Sequence, residues 1–581
     1  MDINNIVARS FTRLIRDRNR SYLLLLSICL LLLCLPGEGL AAPNPQVRQY
    51  DLVIFGRAVD PQGEPVELAV IKAIPVGDVE PLVEAESQED GSWVLAFDEI
   101  PQQEIEIFVE HAHFYPQVIK FGFTERQELI ESGVYRLEDE ILERRISAGF
   151  WTATIVFLVV LLLIAFEKLH STTAALAGLS LIFIISYVGG AINPGFHIFT
   201  FERGLSYINW EVIFLVMGMM IIIAVIERTG IFQWLAFQAY RLSGGRAWLL
   251  VLILMAITAA ASALLDNFTT MLVMTPISLQ IGLALGINPL ALIIPEILAS
   301  NVGGISTLVG TPTNILIGAY AGIGFNDFLI NQTVGVVIAL IAMAGYVLFH
   351  YRKEFMKRGA AISPRLYEKL KQNAEIEDMG ALWKSGVVFI LVMIGFVLGE
   401  RIHLDLAVTA LMGATVLLIW LKPDVHQMIK AVDWTTLVFF MALFIIVGAI
   451  QEVGLISYAA QKMGEVIGNN LALGIFMVVF GVGTISTVVA NIPLAASMLP
   501  IIKYLTATVP GANSLVLYYA LSMGAAMGGN GFLIGGEANL VTAGITDQAN
   551  TPITFKEFLK IGLPVTYITL LVGFLWLLVR F

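Results

Sequence analysis

"SALLDNFTTMLVMTPI" occupies residues 262–277, and "STVVANIPLAASMLPI" occupies residues 486–501. Each is an oily run broken once, by Asp266 and Asn267 in the first and by Asn491 in the second. In register, Ser262 meets Ser486, Asn267 meets Asn491, Met274 meets Met498 and Pro276 meets Pro500, always 224 positions apart. Shared composition alone rarely puts polar residues and prolines into one ungapped register, so the two stretches read as copies of one unit. Each is expected to be the tip of a helical hairpin that enters a membrane and returns on the same side.

The register runs outward from these tips. Trp210 meets Trp434, Met217 meets Met441, Ile221 meets Ile445 and Gly230 meets Gly454 at the same offset. Further along the offset becomes 225, pairing Gly303 with Gly528, Gly304 with Gly529, Gly310 with Gly535 and Asn314 with Asn539. Upstream, "FEKLH" at 166–170 echoes "GERIH" at 399–403. The expected plan is a first copy over 148–350, a linker over 351–383 and a second copy over 384–581.

Composition agrees with a membrane setting. Of 581 residues, 57% are hydrophobic and 14% charged, against about 25% charged in soluble domains. Simple spans are expected around Ile155–Phe166, Ala174–Val188, Val212–Ile226, Val336–Phe349, Val387–Leu398, Val408–Leu421, Leu437–Ile450 and Ile561–Leu578. The net charge of −12 argues against nucleic acid as a partner. Both cysteines, Cys29 and Cys34, lie in the first apolar run, so neither a disulfide framework nor a cysteine metal site is expected beyond it.

That first run follows Arg9, Arg13, Arg16, Arg18 and Arg20 and ends in "GEGLAAP". Residues 1–42 therefore read as a secretory signal, with an uncleaved anchor as the alternative. Residues 46–145 differ in kind. "YDLVIFGRAVD", "SWVLAF" and "QEIEIFVEHA" are β-rich and separated by the turn signals "DPQGEP" and "QEDGSW". A small exported β-sandwich is expected, and "GRAVDPQGEPVELAVI" followed by "EDGSWVLAF" resembles transthyretin-like, carboxypeptidase-regulatory-type domains.

If residues 247–285 form a re-entrant hairpin, each copy has five crossings, and the second is inverted. The basic stretch carrying Arg352, Lys353, Lys357, Arg358, Arg365, Lys369 and Lys371 is then cytoplasmic. This satisfies the positive-inside rule. It puts the β-domain and the C-terminus on the extracytoplasmic side of the plasma (inner) membrane. The fold class expected is an all-α polytopic membrane protein with an inverted repeat, plus the exported β-domain.

Inverted repeats with broken helices characterise secondary transporters, whose sites lie near the bilayer midplane. Four stretches qualify. Two are the tips, with Asp266, Asn267, Thr269 and Thr270 in one and Asn491 and Pro493 in the other. Two are breaks. "NVGGISTLVGTPTN" (301–314) contributes Gly304, Ser306, Thr307, Gly310, Thr311, Pro312 and Asn314. "GGNGFLIGGEAN" (528–539) contributes Gly529, Asn530, Gly535, Glu537 and Asn539. Glycine and proline free backbone groups there, and Asn, Ser and Thr oxygens can join freed carbonyls around a dehydrated cation. Helix N-termini facing them suit an anion.

Asp266 is the sharpest of these residues. An ionised Asp at a helix centre costs about 2.5–3.5 kcal/mol on insertion scales, so it needs a partner or a proton. Three roles are open to it: a Na⁺ ligand, a proton carrier, or the cap of the helix that begins beside Phe268 and Thr269. Glu537 is the candidate second acid, and Glu296 follows Pro295 at an expected helix start. No Lys or Arg lies in the four stretches, so a bound anion would be neutralised by helix dipoles and bound cations. No Walker, metal-His or Ser-His-Asp pattern supports an enzyme or an ATP-driven pump.

"AYRLSGGRAW", "SALLDNFTTMLVMTPI", "NVGGISTLVGTPTN", "ANIPLAASMLPI" and "GGNGFLIGGEANLV" together resemble the ArsB/NhaD permease branch of the ion transporter superfamily, in its citrate-transporter-like form. Within that branch the likeness runs strongest to the pink-eyed-dilution type. The resemblance implies two hairpins, elevator-type motion, a homodimer, and Na⁺ or H⁺ as coupling ion with no other cofactor. Related divalent anion/sodium symporters carry Ser-Asn-Thr at both tips; this sequence keeps only the Asn. Sodium/proton antiporters of this kind carry an acid before the second Asn, where this chain has Ala490.

The expected function is cation-coupled transport of a small inorganic or carboxylate anion. Na⁺ would sit at Asp266, Asn267 and Asn491. A Na⁺/H⁺ antiporter using Asp266 and Glu537 is the alternative, followed by an anion channel or a membrane receptor.

Overall fold

Apolar side chains at every second position of the N-terminal segment produce strands with one buried face. The computed structural model describes residues 52–581 except 62, 64, 79, 98–102, 167, 357–367, 369–370, 373 and 377. The expected signal over 1–42 and much of the basic stretch lie outside the described residues. Chain contacts group the residues up to Glu110, with Pro116–Leu142, into one unit, and His111–Tyr115 with Glu143–Phe581 into a second.

Among the described residues the first unit holds eight strands, β1 (Leu52–Val59), β2 (Val70–Pro75), β3 (Val83–Glu86), β4 (Ser92–Phe97), β5 (Ile105–Glu110), β6 (Gln117–Phe121), β7 (Val134–Arg136) and β8 (Glu140–Ile141). One sheet runs β4-β1-β7, with β8 also on β1, and the other runs β3-β2-β5-β6. Ile54, Trp93 and Leu95 of the first sheet and Ile71 and Ile107 of the second are buried. One helix interrupts the strands, α1 (Phe123–Ser132), which ends at Gly133 in the left-handed conformation. Only Leu129 of α1 is buried, so no apolar stripe announced it.

The second unit is helical. Its first part contains α2 (Ala148–Ala165), α3 (Ser171–Ile192), α4 (Phe201–Ser206), α5 (Trp210–Glu227), α6 (Ile231–Ser243), α7 (Ala247–Leu264), α8 (Asn267–Leu285), α9 (Leu290–Gly303), α10 (Pro312–Ala321) and α11 (Phe325–His350). Its second part contains α12 (Met379–Ile402), α13 (Leu406–Leu421), α14 (Trp434–Glu452), α15 (Leu455–Ile467), α16 (Leu471–Ser486), α17 (Asn491–Thr508), α18 (Val516–Gly528), α19 (Glu537–Gln548) and α20 (Phe555–Arg580). Every expected span core falls on one of these helices, except that Phe166 is the C-cap of α2. Eight helices among the described residues are long and apolar enough to cross a membrane, so the chain is a multi-pass membrane protein.

The elements recur in the same order. Helices α5 to α8 start at Trp210, Ile231, Ala247 and Asn267, and α14 to α17 start at Trp434, Leu455, Leu471 and Asn491, each 224 residues later. Packing recurs with them. Helix α7 packs on α9, and the π-helical stretch Met477–Val482 of α16 packs on α18. The two parts also interlock, because α8 packs on α19 and α10 packs on α17.

A buried carboxamide network at two helix breaks

Helix α7 ends where Leu265 turns extended, and Asp266 starts α8 as its N-cap. Asp266 Oδ1 accepts the Thr269 N–H at 2.7 Å, and Oδ2 accepts the Thr269 hydroxyl at 2.7 Å. The capping role is thus built in the structure, while spare lone pairs remain on both oxygens. The Thr270 hydroxyl turns back onto the Asp266 carbonyl at 2.8 Å. At the other tip the N-cap is Ala490, whose side chain has no acceptor, so α17 begins at Asn491 without a side-chain cap. Pro493 sits in that first turn, where a missing N–H costs nothing.

Each tip lies against a break. The Ser262 hydroxyl donates to the Ser300 carbonyl at 2.8 Å, and Ser486 donates to the Ala525 carbonyl at 2.7 Å. Thr307 donates its hydroxyl to the Ala263 carbonyl in the tip. Only glycine permits this approach. A Cβ on Gly310 would lie 2.8 Å from the Ser262 carbonyl oxygen, and one on Gly535 would lie 2.9 Å from that of Thr487.

The breaks are braced from inside. Asn314 donates through Nδ2 to the Thr307 carbonyl at 2.8 Å and to that of Ile305 at 3.2 Å. Asn539 donates to the carbonyls of Gly529 at 2.8 Å and Phe532 at 3.1 Å. These carbonyls would otherwise stand unpaired at the end of a helix. Gly304 and Ser306 belong to the short 3-10 turn that closes the first break. Thr311 caps α10 by accepting the Asn314 N–H at 3.1 Å, and Pro312 takes the first helical position. Its counterpart α19 has Gly536 as N-cap, with no side-chain cap.

Between the breaks, carboxamides join into one chain. Asn267 Nδ2 donates to Asn301 Oδ1 at 2.9 Å. Asn301 Nδ2 donates to Asn530 Oδ1 at 2.8 Å and to Asn539 Oδ1 at 3.0 Å. Asn530 Nδ2 reaches the Leu298 carbonyl at 3.3 Å. All four residues are buried. On the other side, the Ser522 hydroxyl donates to Asn314 Oδ1 at 2.6 Å, and Gln332 donates to Ser522 at 3.2 Å.

The structure thus brings Asn267, Asn530 and Asn539 together, with Asn301 as the link that the sequence reading had not singled out. Asn491 is buried at the start of α17, which packs on α10. Glu537 opens α19, half-buried and within electrostatic reach of Asp266 and Asp433. Among the described residues, no group of three or more His, Cys, Asp or Glu side chains is arranged to hold a metal ion. The arrangement offers carboxamide and carbonyl oxygens beside the starts of four helices, two of them without side-chain caps.

A sequence profile described as "Citrate transporter" matches residues 161–524. A 46 kDa membrane protein of Mycobacterium leprae is 35% identical over 431 residues, covering 74% of this chain and 98% of that protein. The P protein of Homo sapiens is 31% identical over 508 residues, covering 74% of this chain and 59% of that protein. A solved structure of the YdaH transporter of Alcanivorax borkumensis aligns over 74% of this chain and 98% of its own, with a TM-score of 0.45 and 15% identity. With a profile spanning most of the helical unit and a relative matched along nearly its whole length, the chain belongs to the citrate transporter family of membrane proteins.

Proposed function

We propose that the chain is a secondary transporter that carries a small anion together with Na⁺ or H⁺, by elevator-type motion of an inverted repeat. The observation that carries this reading is the buried carboxamide chain running from Asn267 through Asn301 to Asn530 and Asn539. Buried polar groups at this depth are costly and mark ion or substrate paths. The two repeats differ in a way that suits a pair of ligands. In the first, Asp266 and Thr311 cap the helix starts, and acceptor oxygens face the site. In the second, α17 and α19 start without side-chain caps, leaving N–H groups for an anion. Asn267 and Asn491 then bridge cation and anion, with Asp266 holding Na⁺ or a proton. On this reading the β-unit and the C-terminus are extracytoplasmic, and the transporter works as a homodimer.

Proteoliposomes test this. Labelled citrate, dicarboxylates and inorganic anions are offered under an imposed Na⁺ or H⁺ gradient. Uptake of one of them that collapses with the gradient, and in Asn267→Ala, supports the reading; uptake indifferent to both gradients refutes it. A Na⁺/H⁺ antiporter is the second reading, supported by the packing of α19, which Glu537 opens, against α8, which Asp266 caps. It requires Na⁺ flux against protons with no anion present.

A further inference from the structure

Glu296 lies in the body of α9, directly after Pro295, and is completely buried. Neither of its carboxylate oxygens has a hydrogen-bond partner. Two hydroxyl side chains border it, Thr258 of α7 and Ser278 of α8. Both are also completely buried, and neither hydroxyl has a hydrogen-bond partner. Helices α7, α8, α11, α18, α19 and α20 pack on α9. Among the described residues, none brings a charged side chain that acts on Glu296. Four polar atoms therefore meet in a buried cluster that has no partner outside itself, with the two hydroxyls the nearest polar groups to the carboxyl.

The second copy lacks this cluster. At the offsets that relate the copies, Thr258 corresponds to Val482, Ser278 to Ile502 and Glu296 to Leu521. All three are buried apolar residues, and α18, which carries Leu521, packs on both α16 and α17, as α9 packs on α7 and α8. The fold thus builds this junction from hydrocarbon alone in one copy. A buried carboxyl with two hydroxyls and no partner outside the cluster, in the other copy, needs an explanation beyond packing. Nor is it an extension of the carboxamide chain. Glu296 and Asn301 are separated by about 7.5 Å along α9 and about 140° around it, given helical rise and turn.

We infer that Glu296, flanked by Thr258 and Ser278, is a proton-binding site separate from the Asn network. Proton chemistry fits the donor set. A hydroxyl can accept from a protonated carboxyl and donate to an ionised one, so both states find partners after a rotamer change. A dehydrated alkali cation would need further oxygens, and apart from the carbonyls of Ala291 and Leu272, left without a donor by Pro295 and Pro276, those of α8 and α9 are committed to their own turns. The inference does not rest on the chain carrying an anion, because the site is defined by its own carboxyl.

Infrared difference spectroscopy of the full-length chain in lipid vesicles reads that carboxyl directly. The expected result is a carbonyl stretch of a dehydrated, protonated carboxylic acid that disappears as pH is raised. It should be absent from Glu296→Gln and present in Asp266→Asn and Glu537→Gln. The triple variant Thr258→Val, Ser278→Ile, Glu296→Leu copies the junction of the other repeat. It should fold with native helix content and lack the band, which keeps the test decisive if the single variant is unstable. Three outcomes would overturn the inference. They are superimposable spectra of wild type and Glu296→Gln, a band that never titrates, or loss of the band at constant pH when Na⁺ replaces choline.

Discussion

Asn301 Nδ2 donates to Asn530 Oδ1 at 2.8 Å, across 229 residues of chain, and the same nitrogen donates to Asn539 Oδ1 at 3.0 Å. Its own oxygen accepts from Asn267. One side chain therefore spends both its donors on the second copy and its acceptor on a hairpin tip of the first. Replacing it should affect both copies together.

Asn301→Ala leaves Asn267 Nδ2, Asn530 Oδ1 and Asn539 Oδ1 short of a partner in a buried site. A loss of about 2 kcal/mol is expected, since each unmade bond in a protein interior costs on this order while membrane hydrogen bonds are individually modest. The second copy already has Ala526 at the matching position, so the backbone tolerates alanine there. Thermal unfolding in detergent should show a lowered midpoint with unchanged helix content. An unchanged midpoint would mean that the carboxamide chain is not coupled to stability.

The tips and breaks were legible because their signals are local: Asn and Pro in oily runs, and Gly next to Thr and Asn. The cap at Asp266 was legible for the same reason, since Thr269 lies three residues away. Asn301 lies inside a stretch already marked, yet its partners are fixed only when α9 meets the second break, which no periodicity encodes. Ser522 and Gln332 were missed for that reason. The unusual character of Glu296 appears only when the two copies are laid over each other, because proline and a dipole explain it adequately in isolation. Helix α1 escaped because it buries a single side chain.

Asn314 and Asn539 turn their N–H groups onto the carbonyls of the breaks. Asn314→Ala and Asn539→Ala should each cost roughly 1–2 kcal/mol. Asn314→Asp should cost more, roughly 3 kcal/mol, because it puts carboxylate oxygen against the Thr307 and Ile305 carbonyls and buries a charge. Chemical denaturation of the three variants checks the order. An Asp variant as stable as wild type, and only in Na⁺, would show instead that these carbonyls gather around a cation.

Gly303 and Gly528 hold the helices at their closest approach. A Cβ on Gly303 would lie 2.5 Å from the Ala259 carbonyl oxygen, and one on Gly528 would meet the Gly483 carbonyl. Backbone cannot retreat as a side chain can, so Gly303→Ala and Gly528→Ala should each destabilise by about 1–3 kcal/mol. Gly345, in α11, has open space around its would-be Cβ. Gly345→Ala should therefore stabilise by about 0.5–1 kcal/mol through helix propensity. Melting midpoints of the three variants should move in opposite directions, and a uniform loss would defeat the packing argument.

The last prediction concerns acid. His111 and His113 lie outside the spans, with ring centroids 5.4 Å apart. Burial, helped by the neighbouring His113, pushes His111 from its ordinary 6.5 down to about 4. Burial also lowers His113, against the pull of the Ile198 carbonyl that its Nε2 meets at 2.8 Å. Both rings are therefore neutral in the fold and readily charged in the unfolded chain. Their contribution is intact above pH 6.5 and erodes as pH falls from there towards about 4. The full loss from His111 alone is roughly 2–4 kcal/mol. His111→Gln cannot be charged, so its melting midpoint should fall less steeply over that window while matching wild type more closely near neutral pH. Parallel acid profiles for the two proteins would mean that carboxylates, and not this histidine pair, govern the loss.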